Sequence, residues 1–475
     1  LEFRRVLFRS GSSAASELQS KGGLSAATFA RELLRLQKNK EDLTRIVFVV
    51  DEASMLSNPQ GHKIMQLIDN AGSQLKIIGD RAQLPSPSSG RWFSLIQDYG
   101  IDTVQMTDNL RQEEGLIKES AIHASRGEIY DAVDKLTAVK ARETYQERIE
   151  ETANTWINLS KEERKQTLCF APTHKNRNDI TEIIRHKLKE EGTLTGDTLY
   201  QTILSSRPLT SIELRESVYY TRDDVLRFNI NIPRFNIKSG DYLTVQDLNA
   251  KHKHNKSLCL LRENGRAFTF PLKALPEFKE ANKDLERPVE IYRKGVIEIQ
   301  AGDIIQWKRN DQSLGINNSD LATIQTISKD EITIQHQDNK LTTLKRNAEV
   351  LKHLDHGYVL TTYGAQGKDK KRGIGLIESI NRFSTTIENY YVETTRGISE
   401  MIVVTDDKDN LVKTITTRDS QKGSALEFVD SKVLQQHAAR LKPNELSLQS
   451  VIEKKQIRES EWNEMEREIT SYNEA

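Results

Sequence analysis

The sequence has few cysteines, no long apolar run and no net charge, and each of these absences excludes a class of protein. Its 475 residues include only two cysteines, Cys169 and Cys259, which is too few for a disulfide framework or a cysteine-based zinc site. No apolar run approaches the roughly 20 residues that a membrane helix needs. No stretch has the pattern of a secretory signal peptide. We therefore expect reduced thiols, a bacterial cytoplasmic location and no membrane insertion.

The charge balance limits the binding partners. Lysine and arginine number 69, aspartate and glutamate also number 69, and the formal net charge is zero. A histone-like basic protein is excluded, but a nucleic-acid enzyme that confines its positive charge to one channel is not. The length allows about two to four domains.

A further absence concerns phosphate binding. An ATP-driven motor needs the loop GxxxxGK[ST], whose backbone amides and lysine hold the phosphates. The only Gly-Lys pair, Gly367–Lys368, is followed by Asp369. The first ten residues, "LEFRRVLFRS", look like a translated sequencing adapter, and the fold prediction leaves them out. Together these features lead us to expect a fragment whose natural protein begins further upstream and carries the loop.

What the sequence does contain is a series of short apolar runs without alternation. They favour strands that are covered on both faces, as in parallel α/β sheets, and they occupy 46–50, 75–79, 167–171, 357–363 and 401–405. Residues 237–350 differ, because short alternating runs are separated by hairpin-turn sequences such as "ENG" and "QDN". This pattern predicts one or two small β-barrels inserted into an α/β body. Residues 421–475 are densely charged and read as a helical or disordered tail.

Two acids stand where the first apolar run ends, in "IVFVVDEASML". The carboxyl edge of a parallel sheet is where α/β proteins bind ligands. There Asp51 can hold Mg²⁺ near nucleotide phosphates, and Glu52 can orient or deprotonate an attacking water. Taken alone, the pair is equally consistent with a solvated strand end.

The next two motifs favour the chemical interpretation. The second apolar run ends at Asp80 and is followed by Gln83, whose amide can contact a γ-phosphate and a water. Arg111 in "NLRQ" can stabilise charge on a transferring phosphoryl group. An isolated arginine is more often part of a surface salt bridge, but the order DEASM, GDRAQL, NLRQ is not a chance pattern.

In this order the motifs resemble superfamily 1 helicases of the RecD-like, 5′-to-3′ branch. The later segments resemble the helicase part of F-type conjugative relaxase–helicases, and they lie at 171–180, 301–316, 353–370, 390–407 and 420–427. The resemblance implies an α/β fold of two RecA-like parallel-sheet lobes, the first incomplete, with an inserted SH3-like β-barrel. The domains it implies are a partial first lobe at 11–115, a second lobe at 116–190 and 355–420, the insert at 191–354 and the tail at 421–475.

The resemblance also implies ATP and Mg²⁺ as cofactors and single- and double-stranded DNA as partners, with relaxosome and type IV secretion proteins as further candidates. Its catalytic set is Asp51, Glu52, Gln83, Arg111 and Arg396, with Arg111 and Arg396 as arginine fingers. Nucleotide contacts fall on Gly79, Asp80, Gln366 and Gly367, and the last two couple the nucleotide to DNA. DNA contacts that need no base readout fall on Thr173, His174, Thr361 and Thr362. Trp307 is a candidate stacking platform for a base, with barrel core as the alternative.

The function implied is an ATP-dependent helicase that unwinds plasmid DNA during conjugative transfer. The printed chain is expected to be inactive, because it has no loop for the phosphates. Two alternatives remain open: a helicase-like domain that grips single strands without hydrolysis, and a RecD-like repair helicase.

Overall fold

The computed structural model describes residues 4–9, 26–28, 46–86, 90–98, 101–106, 108–246, 256–276, 287–311, 313–381 and 384–418. These residues form two parallel and two antiparallel sheets with helices against the parallel ones. The predicted α/β class is thereby confirmed. The predicted tail at 421–475 and the motif at 420–427 lie outside the described residues.

The first parallel sheet has the order β2-β1-β3-β4. Its strands are β1 (Arg4–Arg9), β2 (Ala26–Thr28), β3 (Ile46–Val50) and β4 (Gln74–Ile77). Leu1–Ser10, which the fold prediction leaves out, thus contribute a strand that pairs in parallel with β3. The run Val6–Phe8 has the apolar, β-prone composition of a strand.

Two helices follow β3 and hold its position. They are α1 (Asn58–Ala71) and α2 (Trp92–Asp98). Phe48 of β3 is fully buried and packs in one cluster with Ile64 and Trp92. A Cβ atom on Gly61 would lie 2.1 Å from the Trp92 ring, so the indole can sit on α1 only because residue 61 is glycine.

The second parallel sheet has the order β18-β6-β19-β20-β5. Its strands are β5 (Ala138–Ala141), β6 (Thr167–Ala171), β18 (Val359–Thr361), β19 (Lys370–Leu376) and β20 (Gly397–Thr405). Every residue of β6 is buried, as expected for a central parallel strand with both faces covered.

Helices cover both faces of this second sheet. On one face lie α3 (Leu116–Ser125), α4 (Ile129–Asp134), α9 (Ile387–Thr394) and α10 (Lys408–Thr416). On the other face lie α5 (Tyr145–Ile157) and α7 (His174–Glu190). The short helices are α6 (Lys161–Lys165) and α8 (Thr362–Ala365). Among the described helices, none combines the length and the apolar character required to cross a membrane.

The two antiparallel sheets lie between α7 and β18 in the chain. The first has the order β11-β10-β9-β8-β12-β7, and the second has the order β16-β15-β14-β13-β17. Their strands are β7 (Thr195–Ser206), β8 (Val225–Phe228), β9 (Tyr242–Val245), β10 (Ser257–Leu261), β11 (Ala267–Pro271), β12 (Val289–Ala301), β13 (Ile304–Trp307), β14 (Leu321–Ile327), β15 (Glu331–His336), β16 (Leu341–Lys345) and β17 (Leu354–His356). The predicted β-rich insertion is therefore present, while its SH3-like character stays a prediction.

A buried ion pair joins this insertion to α7. Arg185 donates from Nε to Oδ1 of Asp303 at 2.8 Å and from Nη2 to Oδ2 at 3.0 Å. The Tyr358 hydroxyl donates to the same Oδ1 at 2.8 Å. Asp303 is fully buried, so two-pronged pairing compensates a charge that would otherwise be costly to bury.

Candidate functional site

The two acids after β3 lie on a sharp turn of the backbone. Glu52 has φ 55° and ψ 39°, a left-handed conformation that is uncommon for a residue other than glycine. The amide of Ala53 donates to the Ile78 carbonyl at 2.9 Å, and the amide of Ile78 donates to the Val50 carbonyl at 2.7 Å. These bonds tie the end of β3 to the end of β4. They hold Asp51 and Glu52 at the carboxyl edge of the sheet.

The turn after β4 is pre-assembled around one carboxylate. Oδ1 of Asp80 accepts the Ala82 amide at 2.9 Å, and Oδ2 accepts Nε2 of Gln83 at 3.3 Å. A Cβ atom on Gly79 would lie 3.0 Å from the Phe93 ring, so the chain passes too close to α2 for most side chains. The two hydrogen bonds accepted by Asp80 thus fix the position of Gln83 relative to Asp80.

Helix α9 of the second lobe touches this turn. The Tyr391 hydroxyl donates to Oδ2 of Asp80 at 3.0 Å. Burial raises the pKa of Tyr391, and the Asp80 charge adds to the shift. The contact brings the end of α9, where Arg396 follows, to the acids of the first sheet.

Arg396 is almost completely buried, with 2% of its surface exposed. Its Nε donates to the Val392 carbonyl at 2.8 Å, and its Nη1 donates to Oδ1 of Asp369 at 2.9 Å. Burial lowers the pKa of Arg396, and the charge of Arg111 lowers it further. The carboxylates of Asp369 and Glu52 raise this pKa and so oppose the shift. Among the charges that shift this pKa, Glu52 is the one that belongs to the edge of the first sheet.

Arg111 converges on the same carboxylate. Its Nε lies 3.2 Å from Oδ2 of Asp369. The neighbouring Gln112 is buried and donates from Nε2 to the carbonyl oxygens of Thr395 at 3.0 Å and Gly397 at 3.3 Å. The "NLRQ" segment is thus attached to the "ETTRG" segment, and both arginines meet at Asp369.

The "TTYGAQG" turn packs against α9 from the other side. Oγ1 of Thr361 accepts the Gly364 amide at 3.1 Å and caps α8. The Thr362 hydroxyl donates to Oε1 of Glu393. Both polar atoms of the Gln366 side chain are buried without a hydrogen-bond partner in this structure. A buried amide without partners is rare in a finished core, so it fits a role in contacting a ligand.

The segment around the two predicted DNA-contacting residues of α7 is held by a buried network. Oγ1 of Thr173 accepts the Asn176 amide at 3.1 Å, and Nδ2 of Asn176 donates to Glu378 at 3.2 Å. Glu378 in turn accepts Nε of Arg148 at 2.7 Å. His174 keeps an exposed surface, and partial loss of its hydration lowers its pKa, with Arg177 and Lys308 adding to the shift and Asp355 opposing it.

Trp307 is not placed as predicted. It is fully buried and belongs to the core of the second antiparallel sheet with Ile305, Ile324 and Leu354. Stacking on a base requires an accessible ring face. The stacking prediction is therefore wrong, and the barrel-core alternative is correct.

Metal ligation at the strand ends is compatible with the residues present. Carboxylate oxygens, phosphate oxygens and water are the ligands that Mg²⁺ prefers, and Asp51 offers a partly buried carboxylate at the right edge. In the described part of the chain, His123, Glu128 and Asp131 have ligand atoms within 4.8 Å of one another. They lie at the surface around α3 and α4, apart from these acids.

Sequence reasoning missed three residues that organise this region. Asp369 contacts both arginines, and Gln112 joins their two segments. Glu393, on α9, connects this helix to the "TTYGAQG" turn through Thr362. The first two stand beside recognised motifs, but their contacts join positions far apart in the chain. Glu393 gave a weak signal, as an acid in the otherwise uncharged run "YYVETT".

Comparison with known proteins gives the following relatives. A family model described as an AAA domain matches residues 5–145. The multifunctional conjugation protein TraI of Escherichia coli (strain K12) is 22% identical over 474 residues, which cover 88% of this chain and 25% of TraI. The conjugal transfer protein TraA of Rhizobium radiobacter is 24% identical over 193 residues, covering 40% of this chain and 17% of TraA. The chain spans about a quarter of the length of TraI. The resemblance indicated by the motifs is thereby confirmed.

Solved structures give weaker similarity. A structure of two coordinating Pif1 helicases at forked double-stranded DNA has a TM-score of 0.40 at 12% identity, covering 92% of this chain and 88% of that one. Unliganded Pif1 from Bacteroides sp has a TM-score of 0.37 at 11% identity, covering 93% and 89%. The fold assignment rests on the sheets described above.

Proposed function

We propose that this chain is the ATP-dependent motor part of a conjugative relaxase–helicase, which unwinds plasmid DNA while bound to its single strand. The observation that carries the proposal is the convergence of Arg111 and Arg396 on Asp369, next to helix α9, whose Tyr391 contacts Asp80 of the first sheet. Arg111 and Arg396 contact one carboxylate at 3.2 Å and 2.9 Å. Enzymes of phosphoryl transfer commonly combine arginines from separate chain segments with acids at strand ends.

The roles follow from the chemistry of each side chain. Asp51 would hold Mg²⁺, which would supply positive charge at the phosphates, and Glu52 would orient the attacking water. Gln83, held by Asp80, contacts the γ-phosphate and that water. Arg111 and Arg396 stabilise the charge that develops on the transferring group.

DNA contacts lie on the second lobe in this proposal. Thr361 contacts the strand backbone, and the unpartnered amide of Gln366, next to Gly367, couples that contact to the nucleotide. Thr362, also predicted as a DNA contact, is buried and donates its hydroxyl to Glu393, so it supports the turn and does not touch the strand. Thr173 and His174 add contacts at the start of α7. Hydroxyl and amide contacts to phosphate position a strand without reading its sequence. We further propose, on the family resemblance of the motifs, that the chain acts in the bacterial cytoplasm together with relaxosome and type IV secretion proteins.

The 475-residue chain by itself is expected to hydrolyse ATP very slowly. Its sequence contains no GxxxxGK[ST] loop, so the triphosphate charge lacks its usual lysine and amide cradle. Binding of single-stranded DNA does not need that cradle and should persist.

The test measures the affinity of the chain for a fluorescent oligothymidylate by anisotropy, with and without Mg²⁺ and ATP. We expect salt-dependent binding and an affinity that changes when the nucleotide is added. Arg396→Ala should abolish the nucleotide effect, whereas Arg142→Ala, which removes an exposed arginine paired with Glu151 at 2.8 Å, should not. Failure to bind the oligonucleotide would refute the proposal. Rapid DNA-stimulated ATP turnover that Glu52→Gln removes would refute the expected inactivity.

A second candidate function, left open by the sequence, is a grip on single strands without hydrolysis. It predicts the same oligonucleotide affinity with and without nucleotide. The arginine variants would then leave that affinity unchanged, which separates the two functions in one experiment.

A further inference from the structure

Asp369 occupies the place where the two arginine fingers meet. Its two carboxylate oxygens are divided between them, with Oδ1 at 2.9 Å from Nη1 of Arg396 and Oδ2 at 3.2 Å from Nε of Arg111. Asp369 is 29% exposed, and the side chain of Arg396 is 2% exposed. The Asp369 carboxylate thus offers the two arginines the same kind of negative charge as the phosphate that they are proposed to bind.

The other polar contacts of Arg396 go to neutral groups. Its Nε donates to the Val392 carbonyl, and its Nη2 lies 3.4 Å from Oγ1 of Thr395. A buried guanidinium needs a compensating anion, and Asp369 supplies one by direct contact. A phosphoryl group could replace it, because guanidinium donors fit carboxylate and phosphate equally well.

We propose that Asp369 is an internal anion that competes with the triphosphate for Arg111 and Arg396, so that nucleotide binding releases the segment 367–370. The inference rests on the proposed function and assigns a regulatory role to a residue of the same site. When the triphosphate replaces the Asp369 carboxylate, both arginines still face a negative charge. The released carboxylate is then free to move.

The segment that would be released connects the nucleotide side to the DNA side. Gly367 has φ 73°, a left-handed conformation that favours glycine and that permits the turn of the chain just before Asp369. Nζ of Lys368 donates to the Ser319 carbonyl of the β-rich insertion at 2.5 Å. The amide of Lys370 donates to the Arg396 carbonyl at 3.2 Å. Release of Asp369 therefore acts on the "TTYGAQG" turn before it and on the insertion beside it.

Removing the charge of Asp369 should strengthen binding of the triphosphate, which competes for the same two arginines. Asp369→Asn keeps the shape of the side chain but leaves two arginines without their shared carboxylate. An added triphosphate then gains contacts without displacing a charged partner. For a partly exposed ion pair we expect about twofold to fivefold tighter binding.

The experiment uses the 475-residue chain and titrates it with N-methylanthraniloyl-ATP and Mg²⁺, with inorganic tripolyphosphate as competitor. It compares the wild type, Asp369→Asn, Arg396→Ala and the matched control Glu191→Gln. Glu191 also accepts an arginine in a two-pronged pair, with Arg164 at 2.9 and 2.8 Å, but at the surface of the second lobe. We expect tighter binding of both probes by Asp369→Asn alone.

The outcomes separate the inference from the proposed function. Equal affinity of the wild type and Asp369→Asn, with weaker binding by Arg396→Ala, would refute the competition and leave the nucleotide site intact. No binding by any variant at millimolar probe would refute the proposed nucleotide site and the competition together.

A second measurement needs no variant and covers the case in which Asp369→Asn does not fold. Hydrogen exchange of the wild-type chain is followed with and without saturating tripolyphosphate. The amides of residues 367–370 should exchange faster when the polyphosphate is bound, while those of β6 stay protected. Unchanged or slower exchange at 367–370 would contradict the release.

Discussion

Replacing Glu393 by glutamine should change how the stability of the second lobe depends on pH. Glu393 is 2% exposed. Its Oε1 accepts the Thr362 hydroxyl, and its Oε2 is buried without a hydrogen-bond partner in this structure. Burial raises the pKa of Glu393 to about 8 from the ordinary value of 4.5, and the Thr362 hydrogen bond opposes the shift only in part.

The sign and size follow from proton linkage. Between pH 4.5 and about 8 the folded protein keeps a proton on Glu393 that the unfolded chain releases. The stability that this proton brings is complete below pH 4.5 and is lost as the pH rises towards 8. The loss is about 1.4 kcal/mol per pH unit, or roughly 5 kcal/mol across the window. Glutamine is neutral in both states, so Glu393→Gln should gain roughly 3 kcal/mol on the wild type at neutral pH.

The assay is urea unfolding followed by circular dichroism in buffers from about pH 5 to pH 9. The free-energy difference between Glu393→Gln and the wild type should be small at the acid end and should grow steadily towards pH 8. Glu162→Gln, which removes an exposed acid of α6, should follow the wild type throughout. Parallel pH profiles for Glu393→Gln and the wild type would refute the argument that burial governs this carboxyl.

Three further changes test other contacts. Arg148→Met should destabilise the second lobe by roughly 3–5 kcal/mol, because it leaves Glu378 buried without its cation; adding Glu378→Gln should restore part of the loss in urea unfolding. Trp307→Ala should lower the stability of the β-rich insertion by roughly 3–5 kcal/mol. At a temperature where the variant is still folded, its affinity for oligothymidylate should equal that of the wild type. A selective loss of that affinity would contradict the core assignment. Tyr391→Phe should weaken the contact with Asp80 by roughly 1 kcal/mol and speed hydrogen exchange in the turn after β4; unchanged exchange would argue against this contact.

The strands of the two parallel sheets could be predicted because their signal is local. The runs at 46–50 and 167–171 consist of residues that a doubly covered strand requires, and both form strands in the structure. The location of Asp51 and Glu52 after the first of these runs could be predicted for the same reason, since a strand end fixes where the next side chain lies. The strand at Arg4–Arg9 falls in the residues that the fold prediction leaves out, because they show no clear pattern and look like a translated adapter.

The partners across the site could not be predicted, because they depend on tertiary contacts. Nothing local distinguishes Asp369 from any acid in a lysine-rich stretch until Arg111 and Arg396 are brought to it. Trp307 illustrates the opposite error, because an aromatic residue in a strand has the same sequence signal whether it faces the core or a ligand. Burial is likewise the property of Glu393 that the sequence does not reveal.

The central claim is that side chains of both parallel sheets meet around one Mg²⁺–triphosphate. Fe²⁺ can replace Mg²⁺ with ATP, and added peroxide then generates radicals that cut the backbone near the metal. The cuts are mapped by mass spectrometry on the wild-type chain. The account predicts nucleotide-dependent cuts both around Asp51–Glu52 and around Arg396, with loss of both sets in Asp51→Asn. Cuts confined to one of these segments, or lying elsewhere in the chain, would contradict it.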